Sequence, residues 1–420
     1  MSHTSIQSTE TAVTRFGQWL DSYGETSYDH QSFYASPLGR AAKRLYYSKP
    51  LIGTLAVAPM VACEAFLPSA RQFFWKRQRF PIADAHYAMG FAFLAEAYNS
   101  GKYYDRTVHF LKVLQDTRCP NNADYCWGYP FDWQTRTGVM AEGTPLITTE
   151  PYVYEAFSQV YALDHDERWL AVMRSIANHA FTSYRDVETG PDAASCGYTP
   201  APDDPCGVIN ASAYRAFLLT KAGLELSEPR YLAVARKNLN FVLSSQQNDG
   251  SWFYSTDGAR DFVDHFHTCF VLKALAKVER LTDCADCRIA IDRGITYYMR
   301  NLIDSNGLPL PFSKAPRMTV YRRELYDLAE CINLAVLVHG RFPEMDRILS
   351  RVVVEVLERW HKEDGSFRAR QLLIGWDNVP MHRWAQAQMF RSLCFLLSQG
   401  LKEESVETVP ASVPADNATV

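Results

Sequence analysis

The chain of 420 residues is 47% apolar and 13% aromatic, long enough for one large repeat-built domain or for several ordinary ones. Its formal net charge of -4 and the lack of any Lys/Arg block exclude the electrostatic footprint of a nucleic-acid binder. Its ten cysteines, several in helix-like runs (Cys63, Cys269, Cys331, Cys394), suit buried reduced thiols better than a secreted disulfide framework, so a cytoplasmic protein is expected.

Met1 to Glu10 is polar and carries no signal pattern. The first strongly apolar run, Leu51 to Leu67, is interrupted by Pro59 and Glu64, so no transmembrane span is expected. Thr11 to Tyr47 reads as one or two packing helices within an N-terminal extension, residues 1–50. Beyond it a glycine turn recurs ahead of apolar runs, at Gly128-Tyr129-Pro130, Gly197-Tyr198, Gly250-Ser251-Trp252, Gly307-Leu308-Pro309 and Gly365-Ser366-Phe367. The last four are spaced by 53, 57 and 58 residues, which fits one helical hairpin per repeat.

Each turn follows an amphipathic run, such as Tyr231 to Ser244, with Leu232, Ala235, Leu239 and Val242 at helical spacing. Each precedes a run apolar on nearly all sides, such as Ala213 to Leu224 or Phe266 to Val278. The first kind predicts outer helices and the second inner ones. The outer–inner pairs are Leu51–Phe74 with Ala83–Tyr98, Tyr103–Thr117 with Pro151–Leu163, and Glu167–Tyr184 with Ile209–Leu224. Three more follow: Pro229–Ser245 with Phe262–Arg280, Asp283–Leu302 with Arg322–His339, and Glu344–His361 with Pro380–Ser398. An open solenoid needs polar capping repeats, and none is seen, so the fold predicted over 51–400 is all-α, a closed (α/α)6 toroid. Residues 401–420, without aromatics and rich in Val, Pro, Ala and acidic residues, predict a disordered tail.

In such a ring every inner helix starts on the same side, so long loops and positive helix ends gather at one mouth. Polar residues cluster at those starts, where a buried helix should be apolar. They are Thr148-Thr149-Glu150, Asn210 with Ser212, Asp261 with Asp264-His265-Phe266-His267, Arg322-Arg323-Glu324 with Tyr326-Asp327, and Asp377-Asn378 with His382-Arg383-Trp384. Asp264, Glu324 and Asp327 are the acid–base candidates, with His267 and His382 for proton transfer. Arg323 and Arg383, with Tyr326, Glu150 and Tyr152, are candidates to hold an acidic or hydroxyl-rich group. Trp127 and Trp133, from the longest aromatic loop, and Trp384 are candidates for a stacking surface, and Asp132 of the same loop is a further substrate-binding candidate. A structural reading explains the same letters: an internal network of Arg323, Asp327 and Glu330, capping by Asp261 and Asp264, and a hydrophobic lid around Trp127. Both readings stand at this point. Cys284 and Cys287 form a lone CxxC and read as packing thiols, and no nucleotide-binding glycine motif is present.

Gln246-Gln247-Asn248-Asp249-Gly250-Ser251-Trp252 resembles the QW-type repeat of terpenoid cyclases and protein prenyltransferase β subunits, which are helical toroids. Gly258-Ala259-Arg260-Asp261-Phe262, followed by Phe266-His267-Thr268-Cys269-Phe270, resembles the prenyltransferase segment whose His binds zinc. That resemblance implies an alternative zinc set of His267 with Asp204 and Cys206, although the helix-aligned positions hold Asn210 and Ser212. The stretches Trp127 to Trp133, Ile147 to Tyr152 and Met381 to Gln388 resemble cytoplasmic toroid proteins of bacterial polysaccharide-biosynthesis clusters. They imply a sugar context and association with other proteins of such clusters. Six-hairpin glycosidases, uronyl C5-epimerases and N-acylglucosamine 2-epimerases share the toroid, the last with His and Glu placed much as His265, His267, Glu324 and His382 are here.

The expected protein is therefore a carbohydrate-active enzyme of polysaccharide metabolism, binding a saccharide, uronic acids included. It would act by carboxylate or His acid–base chemistry, in hydrolysis or epimerisation, without a cofactor. A zinc-dependent prenyltransferase-like or terpenoid-cyclase-like enzyme and a non-catalytic scaffold are the alternatives.

Overall fold

The computed structural model describes residues 3–136, 138–316 and 318–407. The first helix, α1 (His3–Tyr23), buries Ala12, Val13, Phe16, Trp19 and Leu20, which recur at helical spacing. An excursion follows through α2 (Ser32–Ala35), α3 (Pro37–Ser48), α4 (Pro50–Phe66) and α5 (Arg71–Phe74). Then come five hairpins, each an inner helix followed by an outer one. They are α6 (Pro81–Tyr98) with α7 (Gly101–Asp116), α8 (Glu150–Asp164) with α9 (Glu167–Thr182), and α10 (Ile209–Glu225) with α11 (Pro229–Ser244). The last two are α12 (His265–Thr282) with α13 (Ala285–Asn301), and α14 (Leu325–Leu337) with α15 (Pro343–Glu355). A final inner helix, α16 (Ala387–Glu407), is preceded by a π-helical turn at His382–Gln386.

Neighbouring inner helices contact one another in chain order, and α16 contacts α6, so the inner series returns on itself. The links from inner to outer helix are short because a left-handed residue ends the inner helix, Asn99 after α6, His165 after α8 and Asp283 after α12. The links from outer to inner helix are long and carry all the strands. These are β1 (Trp133–Gln134), β2 (Val139–Met140), β3 (Asp186–Gly190), β4 (Ala193–Cys196) and β5 (Val263–Asp264), then β6 (Phe312–Lys314), β7 (Tyr321–Glu324), β8 (Arg370–Leu372) and β9 (Trp376–Asp377). They pair antiparallel as β1–β2, β3–β4, β5–β6 and β7–β8–β9.

The expected first outer helix, Leu51–Phe74, is not in the ring. Its main part, α4, packs on α3, and the sixth outer position is filled by α1, which contacts α16. The repeat glycines show the equivalence. Gly250, after α11, abuts the Arg293 carbonyl of α13, and Gly365, after α15, abuts the Arg15 carbonyl of α1; a Cβ at either glycine would lie 2.5 Å from that oxygen. Both have positive φ, +94° and +91°. The amphipathic stripe of α1 is what the outer position requires, whereas α4 is apolar without a polar face. The starts of α12 and α14 also fall later than Phe262 and Arg322, because those polar segments are strands β5 and β7. Of the tail expected to be disordered, 401–407 continues α16, and 408–420 lies outside the described residues.

Gly365→Ala is expected to lower unfolding stability by about 2 kcal/mol or more, combining left-handed strain with the carbonyl clash. Gly17→Ala, in the middle of α1 with nothing within 4 Å of the added Cβ, is expected to raise it by about 0.5–1 kcal/mol. Thermal unfolding of the two variants measures both; equal shifts would contradict this placement of α1.

Candidate functional site

The long loops end at the inner-helix starts, and there a circuit of aromatic side chains forms. Thr148 donates to the Tyr198 hydroxyl at 3.3 Å. The Arg383 guanidinium lies 4.6 Å from the Tyr129 ring and 3.6 Å from that of Trp384. Trp384 stacks on Tyr326 at 6.2 Å and 12° between planes, Tyr326 meets Phe266 at 5.2 Å, and Tyr254 meets His267 at 4.7 Å. Tyr129, Trp133, Tyr198, Tyr254, Phe266, His267 and Trp384 are all partly exposed. Flat faces with accessible edges in one place suit a ligand with apolar faces and a hydroxylated rim.

Asp264 closes β5 and caps α12. One carboxylate oxygen accepts from the His267 backbone N–H at 2.9 Å, and the other lies 2.6 Å from His267 Nδ1. Capping and acid–base readings thus hold together at one residue. An ionised Asp264 can only accept, so His267 donates from Nδ1 and keeps Nε2 as its basic atom. Asp264 is buried, while 22% of the His267 side chain is exposed.

Behind this pair sit the other acids. Burial, reinforced by the Asp264 charge, pushes the Asp327 carboxyl well above the carboxylate range, and its Oδ1 is 3.4 Å from His265 Nδ1. Glu324 ends β7 and pairs with Arg370 at 2.5 Å. Burial pushes its carboxyl up to about 7 against the pull of Arg370. His265 is buried and held neutral, down to about 3 by desolvation, with Nε2 at 2.7 Å from the Tyr298 hydroxyl.

Several candidates lie elsewhere. His382 is fully buried against α1, between Tyr87 at 2.5 Å and the Gly24 carbonyl at 3.0 Å, and desolvation lowers it to about 3. Arg323 alternates with Glu324 on β7, so it leaves by the opposite face and pairs with Asp304. Arg383 is spent on a two-pronged pair with Asp29, at 2.9 and 2.7 Å; it holds Trp384 in place but is not free to clamp an acidic sugar. Trp127 is fully buried and donates to the Leu114 carbonyl at 2.8 Å. Asp132 is taken by Arg40 and by the Glu142 amide, and Glu150 reaches back to His179 at 2.7 Å and Tyr184 at 2.6 Å. Among the described residues no three His, Cys, Asp or Glu side chains are grouped as metal donors. The alternative set of Asp204, Cys206 and His267 does not assemble, because the Asp204 carboxylate is satisfied by Thr199 and the Cys206 amide. Zinc does not fit these residues.

A polar floor below the circuit was not anticipated as a unit. One or two turns inward from Phe266, Tyr326 and Trp384 on the same helix faces lie Lys273, Glu330, Gln388 and Arg391. Lys273 pairs with Glu330 and lies 3.5 Å from the Tyr152 hydroxyl, which bonds Tyr214 at 2.6 Å. His86 links Gln388 at 2.5 Å and Arg391 at 3.3 Å. Glu330 Oε1, Gln388 Oε1 and Arg391 Nε are buried without hydrogen-bond partners. The available signal was charge inside apolar runs, Lys273 and Lys277 within Phe266–Val278 and Arg391 within Met389–Leu397. A cavity of about 560 Å³ lies elsewhere, lined by Ile209, Phe241, Gln247, Phe253 and Asp261, and among the polar helix-start residues only Asp261 reaches it.

No family model matches the chain, and no curated protein matches it by sequence. Solved structures do. An unsaturated glucuronyl hydrolase specific for heparin aligns with a TM-score of 0.63 at 9% identity, over 95% of this chain and 98% of its own. Cellobiose 2-epimerase from Bacillus thermoamylovorans B4167 aligns at 0.59 and 8%, over 77% and 88%. The GH76 α-mannanase BT2949 of Bacteroides thetaiotaomicron aligns at 0.57 and 9%, over 86% and 97%. At such identities the likeness establishes shared architecture, and by it this chain has the α/α toroid fold of these enzymes.

Proposed function

We propose that the protein is an enzyme that binds a saccharide at the toroid mouth and moves a proton on it, with His267 as the acid–base residue and Asp264 as its positioning partner. The observation that carries this reading is the 2.6 Å Asp264–His267 pair, partly open to solvent within the circuit of Tyr254, Phe266, Tyr326 and Trp384. Proton transfer, as in epimerisation, is favoured over two-carboxylate hydrolysis. Hydrolysis needs an acid and a base facing opposite sides of one bond, whereas Glu324 and Asp327 are buried behind Arg370 and His265. The sugar-processing neighbours, two of them epimerases by name, support the class of chemistry. With Arg323 and Arg383 engaged, an acidic sugar would find its cation in Arg391 at the floor. A place in polysaccharide metabolism belongs to the same proposal and rests on the resemblance of the Trp127–Trp133 and Met381–Gln388 stretches.

The test uses neutral and uronic-acid-containing saccharides in heavy water, with deuterium entering a sugar C–H followed by NMR. His267→Ala is expected to cut the exchange rate by roughly a hundredfold. Trp384→Ala is expected to weaken saccharide binding, read from tryptophan fluorescence of the remaining indoles. Exchange that survives His267→Ala, or no exchange with any saccharide, would overturn the reading, the second outcome in favour of a scaffold.

A further inference from the structure

One face of the molecule is built the wrong way round for water. Leu51, Leu55, Ala58, Ala62 and Phe66 follow one another at helical spacing, so they form one stripe of α4, and all five are exposed, Leu51 by 88% and Leu55 by 75%. The opposite side of α4, through Ala56, Val57, Met60 and Cys63, closes a small core with Phe33 and Ala42, separate from the core of the ring. Leu38, Ile52, Leu67 and Phe73 extend the exposed surface. Nine of the twenty exposed large apolar side chains among the described residues fall between Leu38 and Phe73. Single exposed apolar residues are ordinary, but this concentration within the α3–α5 excursion marks a surface that meets something other than water.

Charge identifies the partner. Residues 36–77 hold seven basic residues and one acidic one, in a chain whose net charge is -4; Arg40 and the buried Arg71 are paired with Asp132 and Asp377, which leaves five basic residues against the one acid. The lone acid, Glu64, is taken by Arg370 at 2.6 Å. Arg44, Lys49 and Lys76 are exposed, with Lys49 two residues ahead of Leu51 and Lys76 three residues after Phe73. An apolar stripe rimmed by cations fits the boundary between headgroups and acyl chains of an anionic membrane.

Length decides between lying and spanning. The 17 residues of α4 make a rod of about 25 Å, short of the roughly 30 Å hydrocarbon layer. Pro59 and Glu64 interrupt it, α3 lies along it, and no described helix is long and apolar enough to cross a membrane. We infer that the α3–α4 hairpin seats the toroid on an anionic lipid bilayer, with Leu51, Leu55 and Phe66 entering the acyl boundary and Arg44, Lys49 and Lys76 at the headgroups. The Arg40–Asp132 pair and Lys43, 5.6 Å from the Trp133 ring, join α3 to the loop at the mouth, so the seated face adjoins the rim of the site.

The full chain is to be sedimented with vesicles of phosphatidylcholine alone and of phosphatidylcholine mixed with phosphatidylglycerol. Binding is expected to the mixed vesicles, about tenfold or more tighter than to the neutral ones, and to weaken with salt. Leu51→Glu with Leu55→Glu is expected to abolish it, and Lys49→Glu with Lys76→Glu to weaken it by about tenfold. Both residue pairs are exposed, so melting temperatures should stay near that of the native chain, which separates lost docking from lost folding. Equal binding to neutral vesicles, or none to either, overturns the inference. So does a dimer in light scattering that Leu51→Glu dissolves in the absence of vesicle binding, which would assign the face to a second copy.

Discussion

Glu330→Ala is expected to lower the stability of the folded chain by about 3–5 kcal/mol, because it leaves a buried ammonium without its counter-charge. Lys273 and Glu330 project from adjacent inner helices and pair where both side chains are almost entirely sheltered, 4% and 0% exposed. Burial alone would drive the Lys273 ammonium toward neutrality, and Glu330 reverses this, raising it above the ordinary lysine range. Without Glu330 the ammonium keeps the Tyr152 hydroxyl at 3.5 Å and feels the repulsion of the Arg391 charge. Lys273→Met combined with Glu330→Leu removes both charges at similar volume and is expected to lose much less than Glu330→Ala alone. Urea unfolding of the single and double variants measures the difference. If Glu330→Ala unfolds within about 1 kcal/mol of the native chain, the pair is exposed to water in solution and the floor described here does not exist as such.

A pH-dependent loss of stability is expected at Glu324. Its carboxyl titrates near 4.5 when exposed and near 7 in the fold, where burial outweighs the attraction of Arg370. Between those values the folded chain keeps a proton that the unfolded chain has released, so stability falls as pH rises from about 4.5 through about 7 and is level above. The gap is worth on the order of 3 kcal/mol. Glu324→Gln cannot titrate, so the native chain's stability relative to this variant should decline by that amount across the window. Asp84, also raised to about 7 by burial beside Arg79, slopes the same way in both proteins and cancels in the comparison. Chemical unfolding at a series of pH values reads this directly; parallel curves for the two proteins would show that Glu324 stays ionised throughout.

Much of the architecture was legible because helix burial has a period. The stripe of Leu232, Ala235, Leu239 and Val242 could only be an outer helix, and the all-round apolar run from Phe266 to Val278 only an inner one. The same logic misassigned the first hairpin. Apolar content located α4 correctly as a helix, but which surface covers it depends on a partner that local sequence does not encode. The stripe of Val13, Phe16 and Leu20 in α1 carried the outer-helix signature all along, at a place in the chain where a ring must borrow its last wall from its first residues.

The candidate site divides in the same way. Asp264 and His267 were legible because three residues of helix bring them to one face, and that short-range geometry survives any tertiary arrangement. Arg323, Arg383, Glu150 and His382 carry polar chemistry at a helix start, yet each finds its partner in a segment distant along the chain: Asp304, Asp29, His179 and Tyr87. Spacing within one helix cannot reveal such pairs.

By itself the sequence determined the inner and outer helices of the five hairpins from α6 to α15, and that polar groups collect at one set of helix ends, since these follow from local periodicity. Only the tertiary structure decided that α1 is the sixth outer helix, that the Lys273–Glu330 floor exists, and that the apolar stripe of α4 faces outward. The physical reason is that burial and ion pairing are properties of surfaces brought together across the ring, and those contacts join residues up to several hundred positions apart, such as Arg71 and Asp377.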